Sequence, residues 1–243
     1  MTKQRKIMYG VFGVLLALIL LALGLIQMFT YRATPEAQET WNVAAFEQKN
    51  NWTHFEVTGE KKGTLLFYTG ALVEPQAYAK LADGLAKEGI EVYIISSQLN
   101  LPVLDNGTMA TIVKEEHLDK VFIGGHSLGG VVSAVEAKHL EEINKFAGLI
   151  LLASYPDKST DISGTQIPVL SITASNDKIL NQDKYEEAKS RLPEATTYTT
   201  IEGGNHSGFG LYGQQNGDGT ATMSAEEQQK QFVQLIKQFI VSH

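Results

Sequence analysis

The chain has 243 residues, 43% of them hydrophobic and 19% charged, with a formal net charge of −7. That length buries a full core, which excludes a disordered chain or a small cross-linked scaffold. Cysteine is absent, which excludes disulfides, thiolate nucleophiles, cysteine–zinc sites and cysteine-linked lipid anchors, while the acidic balance argues against a nucleic-acid partner.

Residues 7–29 carry no charge and are mostly Leu, Ile, Val, Ala and Gly. As a helix they would reach roughly 35 Å, against a bilayer core of about 30 Å. Lys3, Arg5 and Lys6 precede the run, and the first acid is Glu36. A cleaved signal peptide would have a shorter apolar stretch and a small-x-small cleavage site, which residues 27–32 do not offer. A buried core helix would be shorter and show a polar face. The reading is an uncleaved transmembrane helix, with secretion after cleavage as the lesser alternative. The positive-inside rule keeps the tip in the cytoplasm and the rest outside. The expected organisation is a basic tip (1–6), a transmembrane helix (7–29), a tether with a short helix (30–50) and a soluble body (51–243).

In the body, short apolar runs alternate with helical patterns. Strands are expected at 53–58, 64–68, 90–95, 121–123, 147–153, 169–173 and 196–201. Helices are expected at 75–88, 106–117, 128–140, 184–192 and 225–241, with Pro75 suiting a first turn and Gly89 a stop. This alternation predicts an α/β architecture, a mostly parallel twisted sheet with helices on both faces. Ligands in such folds bind where the strands end.

One strand end reads Gly124-Gly125-His126-Ser127-Leu128-Gly129-Gly130. The pattern Gly-x-Ser-x-Gly alone is weak, but an apolar strand precedes it and an apolar helix follows, as a nucleophile elbow demands. Ser127 is the expected nucleophile, and the Leu128 amide would donate to an oxyanion. The plain alternative is a glycine-rich turn or phosphate site. A serine hydroxyl needs a base. Of six histidines, His206 directly follows the last strand in Gly203-Gly204-Asn205-His206 and is the expected base. Asp177, just after the 169–173 strand, is the expected orienting acid, with Asp157, Asp161 and Asp183 as competitors.

The order Ser127, Asp177, His206 is that of α/β-hydrolases. From Gly63 to the C-terminus the sequence resembles a small member of that superfamily, near its dienelactone-hydrolase-like and lysophospholipase-like branch. The motifs that carry the resemblance are residues 124–130, Ala174-Ser175-Asn176-Asp177 and Gly203-Gly204-Asn205-His206. True dienelactone hydrolases use cysteine, absent here, so their substrate does not carry over. The resemblance implies a second oxyanion donor in residues 69–74, with Ala71 the choice and Gly70 and Leu72 its rivals. It also raises the question of a lid; the 15 residues from Ser154 to Pro168 leave room for a loop but no helical cap.

Glu74, Tyr155, Phe209 and Tyr212 are expected to line the pocket. Residues 203–219, with seven glycines, are expected to form one pocket edge. The function read from the sequence is a serine hydrolase cleaving a carboxylic ester of a small or medium molecule, without metal or cofactor. Amide, thioester or acyl-transfer chemistry on the same residues is one alternative, and a non-catalytic surface binding protein is another.

Overall fold

The computed structural model describes residues 3–44, 46–49, 51–57, 59–105 and 107–243. The chain divides into two units, Met1–Thr30 and Tyr31–His243. The first is a single helix, α1 (Lys3–Phe29). Its stretch Val11–Phe29 has a mean hydropathy of 2.7, none of it is buried, and it is long and apolar enough to cross a membrane.

In the second unit one eight-stranded sheet is formed by β1 (Phe46–Gln48), β2 (Trp52–Phe55), β3 (Gly63–Tyr68), β4 (Ile90–Ile95), β5 (Val121–His126), β6 (Phe146–Leu152), β7 (Val169–Ala174) and β8 (Thr197–Ile201). Their order is β1-β2-β4-β3-β5-β6-β7-β8. Pairings from β4 to β8 are parallel, and the β1–β2 and β2–β4 pairings are antiparallel. The helices are α2 (Pro35–Val43), α3 (Ala79–Lys87), α4 (Thr108–Glu115), α5 (Leu128–Glu142), α6 (Gln182–Ala188) and α7 (Ala225–Ser242). This is the α/β arrangement expected from the alternating pattern.

Side chains alternate across a strand, so each central strand feeds two cores. Leu65 and Phe67 of β3, with Val92 and Ile94 of β4, pack against residues of α2, α3 and α7. Leu66 and Tyr68, with Tyr93 and Ile95, pack against α4 and α5. Burial on both faces is why these strands read as unbroken apolar runs.

Two of the differences from the sequence expectation lie in the amino-terminal half of the body. The helix expected at 75–88 opens as a 3-10 turn, Pro75–Tyr78, before α3. The segment expected as a tether is folded. Thr34 caps α2 by accepting from the Ala37 amide, with Pro35 in the first turn. Ala37 is fully buried and Trp41 nearly so, edge-on to Phe55 at 5.6 Å. β1 then completes the sheet edge. The folded body therefore begins at Tyr31, where residue 51 is expected; a mostly polar stretch conceals two anchoring side chains.

The sheet order reverses around β3: β4 lies on one side and β5 on the other. Such a switch point leaves a crevice beyond the carboxyl ends of the two strands. The loop after β3 begins at Thr69, and the turn after β5 is Ser127.

Candidate active site

Ser127 stands between β5 and α5 with φ 53° and ψ −123°. A non-glycine residue in that region is strained, and surrounding structure must hold it there. Its amide donates to the Leu152 carbonyl at 2.9 Å, and its carbonyl accepts from the Ser154 hydroxyl at 2.7 Å. The flanking glycines are required by space. A Cβ on Gly125 would lie 2.4 Å from the Gly129 carbonyl carbon, and one on Gly129 would lie 2.3 Å from the Thr69 carbonyl oxygen. The elbow therefore packs backbone on backbone against the loop after β3.

Asp177 and His206 come from the turns after β7 and β8. His206 Nδ1 lies 2.8 Å from Asp177 Oδ2, with both side chains buried. Asp177 Oδ1 accepts from the amides of Ile179 and Leu180, each at 2.8 Å. These bonds fix the carboxylate and leave Oδ2 for the imidazole. Among the rival acids, Asp157 instead turns its carboxylate onto the amide and hydroxyl of Ser159, and Asp161 does the same with Ser163. Asp183 lies in the first turn of α6.

Ser127 and His206 line one cleft of about 220 Å³ with Leu128, Val131, Tyr155, Ile179, Leu180 and Asn181, among others. A wider hollow of about 610 Å³ beside α4 and α5 holds neither Ser127 nor His206. Of the expected pocket residues, Tyr155 lines the cleft. Glu74, Phe209 and Tyr212 do not, which corrects that expectation. Glu74 accepts from the Ala33 amide and pairs with Arg32. Phe209 is fully buried between His126 and Phe232. Tyr212 is buried against Tyr31 and His126. Their place is taken by Ile179, Leu180 and Asn181, whose signal in the sequence is an apolar pair one residue beyond Asp177.

Apart from His206, residues 203–219 do not line the cleft. They fold back over the turns that carry His206 and Asp177. One oxygen of Asp218 accepts from the Ser207 amide and hydroxyl at 2.8 and 2.9 Å, and the other accepts from the Lys178 amide at 3.3 Å. One carboxylate thus ties together the residues that follow the base and the acid. Gln228 of α7 closes the other side through paired bonds to the Asn205 backbone.

The loop after β3 offers three amides. Gly70 donates to the Tyr78 hydroxyl at 2.9 Å, and Leu72 donates to the Asn100 carbonyl at 2.6 Å. Only the Ala71 amide has no acceptor among the described residues. Leu128, first residue of α5, likewise has no intrahelical acceptor, as any helix start must.

Behind the cleft, the Tyr78 hydroxyl accepts from Gly70 and lies 2.9 Å from His126 Nδ1. Burial, and secondarily the neighbouring His206, pushes the His126 pKa well below the ordinary imidazole value. The two rings stand 4.5 Å apart, so a neutral His126 adds no competing charge beside His206.

A metal could be held elsewhere. Among the described residues, Glu47, His54 and Glu56 at the antiparallel edge of the sheet have ligand atoms within 4.8 Å of one another.

Residues 64–230 match the model of the alpha/beta hydrolase family. The chain belongs to the α/β-hydrolase family. Solved structures share its fold at low identity. An esterase from Pyrobaculum calidifontis is 15% identical with a TM-score of 0.62, over 85% of this chain and 88% of that one. A carboxylesterase from Bacillus subtilis is 9% identical with a TM-score of 0.60, over 92% and 98%. A dienelactone hydrolase from Anabaena variabilis is 16% identical with a TM-score of 0.56, over 82% and 96%. No curated protein matches the sequence.

Proposed function

We propose that this α/β-hydrolase family member is a membrane-anchored serine hydrolase acting on carboxylic esters, with Ser127 as nucleophile, His206 as base and Asp177 as the acid that orients it. The observation that carries this reading is the strained Ser127 turn opening into the cleft that His206, bonded to the buried Asp177, also lines. Neighbours in fold that are named esterases and carboxylesterases support the ester class.

With Asp177 accepting at Nδ1, His206 presents a bare Nε2 and takes the Ser127 Oγ proton during attack on the carbonyl carbon. The carbonyl pair moves onto oxygen, where the free amides of Leu128 and Ala71 receive the charge. The alkoxide leaves with the proton held by His206, giving an acyl-Ser127. Water, deprotonated by His206, then releases the acid and restores Ser127. No metal or organic cofactor enters these steps. The basic residues at the start of α1 argue for a cytoplasmic N-terminus and a catalytic body on the outside.

The test is labelling with a fluorophosphonate together with hydrolysis of matched esters and amides. Wild type should be labelled and turn over esters. Ser127→Ala should lose labelling and lose turnover by at least about 10⁴-fold. Equal labelling of the variant defeats the nucleophile, and faster turnover of amides than of esters defeats the ester class.

A further inference from the structure

Two features meet at one residue, Leu72, which directly follows the Ala71 amide. The Leu72 amide donates to Asn100 O at 2.6 Å, and its carbonyl accepts from Tyr31 N at 2.7 Å. Tyr31 pairs with Val73 as a parallel bridge, and the Glu74 amide returns a bond to Tyr31 O at 3.0 Å. The first residues of the body are therefore stitched to the loop that carries the proposed oxyanion donor. Tyr31 is separated from Phe29, the end of the apolar stretch, by Thr30 alone. Two residues of chain span at most about 7 Å.

On the other side of Leu72 lies the loop after β4. Residues 98–104 contain no charge. Leu99, Val103 and Leu104 are 37%, 54% and 49% exposed. Their outward presentation is built in: Leu99 and Asn100 both hold φ 55°, and the Asp105 carboxylate accepts from the Gln98 amide. The Tyr68 hydroxyl holds the Asp105 carbonyl at 2.6 Å. Elsewhere in the body, among the described residues, exposed large apolar side chains stand singly along the chain. A fixed loop with three of them within six residues needs an apolar surface to rest on.

We propose that the face carrying Tyr31, Leu72 and residues 98–104 rests on the bilayer, and that the ester cleaved belongs to an amphiphile resident in that bilayer. The substrate class rests on the serine-hydrolase reading; the docking face does not. The apolar segment ends at Phe29, two residues before Tyr31, which is bonded to this face, and that connection makes lipid the occupant in preference to a soluble protein. The small cleft fits the same picture. About 220 Å³ takes the ester and its immediate neighbours, while the acyl chain stays in lipid.

The full-length chain, reconstituted in phosphatidylcholine–phosphatidylglycerol vesicles, supplies the test. With no native cysteine, Val103→Cys and Lys120→Cys each take one polarity-sensitive fluorophore. Lys120 is exposed just before β5, at the amino end of the strands. The Val103 label should shift to the blue and be quenched by brominated lipid, and the Lys120 label should not. Equal emission overturns the docking face, as does a shift that requires an added protein instead of lipid. In parallel, V103D/L104D should turn over a water-soluble short ester as wild type does, and lose about tenfold or more on a long-chain monoacyl ester in the vesicles. Wild-type cleavage of the soluble ester alone, or equal vesicle turnover by the variant, overturns the substrate class. Failure of wild type on both esters defeats the hydrolase reading, and the label still decides the face.

Discussion

Asp177 shows how much one side chain can be asked to do. Its Oδ1 accepts two backbone amides while Oδ2 faces the imidazole. In Asp177→Asn the amide oxygen would keep the two backbone donors, which turns the NH₂ group toward His206 Nδ1. That forces the proton onto Nε2, the nitrogen that must accept from Ser127. Turnover should fall by about 10⁴-fold with little change in Tm, and a loss below tenfold would remove Asp177 from the proposed machinery. Glu136 is a different case. It is buried beside the Tyr68 hydroxyl and the Gly107 amide, and burial raises its pKa. The folded state then holds the proton to higher pH than the unfolded chain. Its contribution is full below the ordinary Glu value of about 4.3 and is lost as pH rises through the folded pKa. Glu136→Gln should lessen the fall of Tm as pH rises above about 4.3, and an unchanged slope would show that Glu136 does not set it.

At the scale of elements, the turns after β7 and β8 are separate in sequence and joined by Asp218. Asp218→Ala should leave four donors without their carboxylate: the amides of Ser207, Lys178 and Gly219, and the Ser207 hydroxyl. Because Asp218 is not in the Ser127 cleft, kcat should fall by about tenfold to a hundredfold with KM little changed. A rise in KM alone would place this loop in substrate binding. These elements also show what the sequence carries plainly. The proposed residues Ser127, Asp177 and His206 are legible because each follows a strand end at a glycine or a small polar residue, although β8 before His206 is rich in threonine and only Ile201 is buried. The orientation of residues 203–219 is not. Glycines allow the chain to turn inward as easily as outward, and only the bonds of Asp218, Asn205 and Gln228 decide the matter. Phe209 and Tyr212 consequently belong to the core, although their position after the base suggests a pocket wall. The pocket falls to Ile179 and Leu180, whose amides also hold Asp177, a role that sequence spacing does not reveal.

At the scale of the molecule, strand alternation predicts a parallel sheet, but it does not give the order of the strands. That order comes from pairings distant in sequence, such as Trp52 with Ile95 and Leu65 with Phe122. The short helix expected in the tether is α2, but the packing of residues 31–49 on the body is hidden for the same reason. Their composition is that of a linker, yet Ala37 and Trp41 are buried and β1 pairs with β2. A chain beginning at Tyr31 should fold as a stable soluble body. One beginning at residue 51 should lose about 3–5 kcal/mol or more, since removal of Trp41 alone is a large-to-small core change. Urea denaturation of the two chains measures this, and equal midpoints would return the segment to the status of a tether.

The reversal of strand order around β3 has a consequence in time. The groups proposed to act in one cleft run from Ala71 to His206, and β5 must pair with both β3 and β6 before Ser127 is held in its turn. Closing such distant contacts is the slow part of folding an α/β chain. Reactivity at Ser127 therefore matures late, after most of the sheet is assembled. On the function proposed above, a half-folded chain is chemically silent, and the first turnover reports that the last strand has docked.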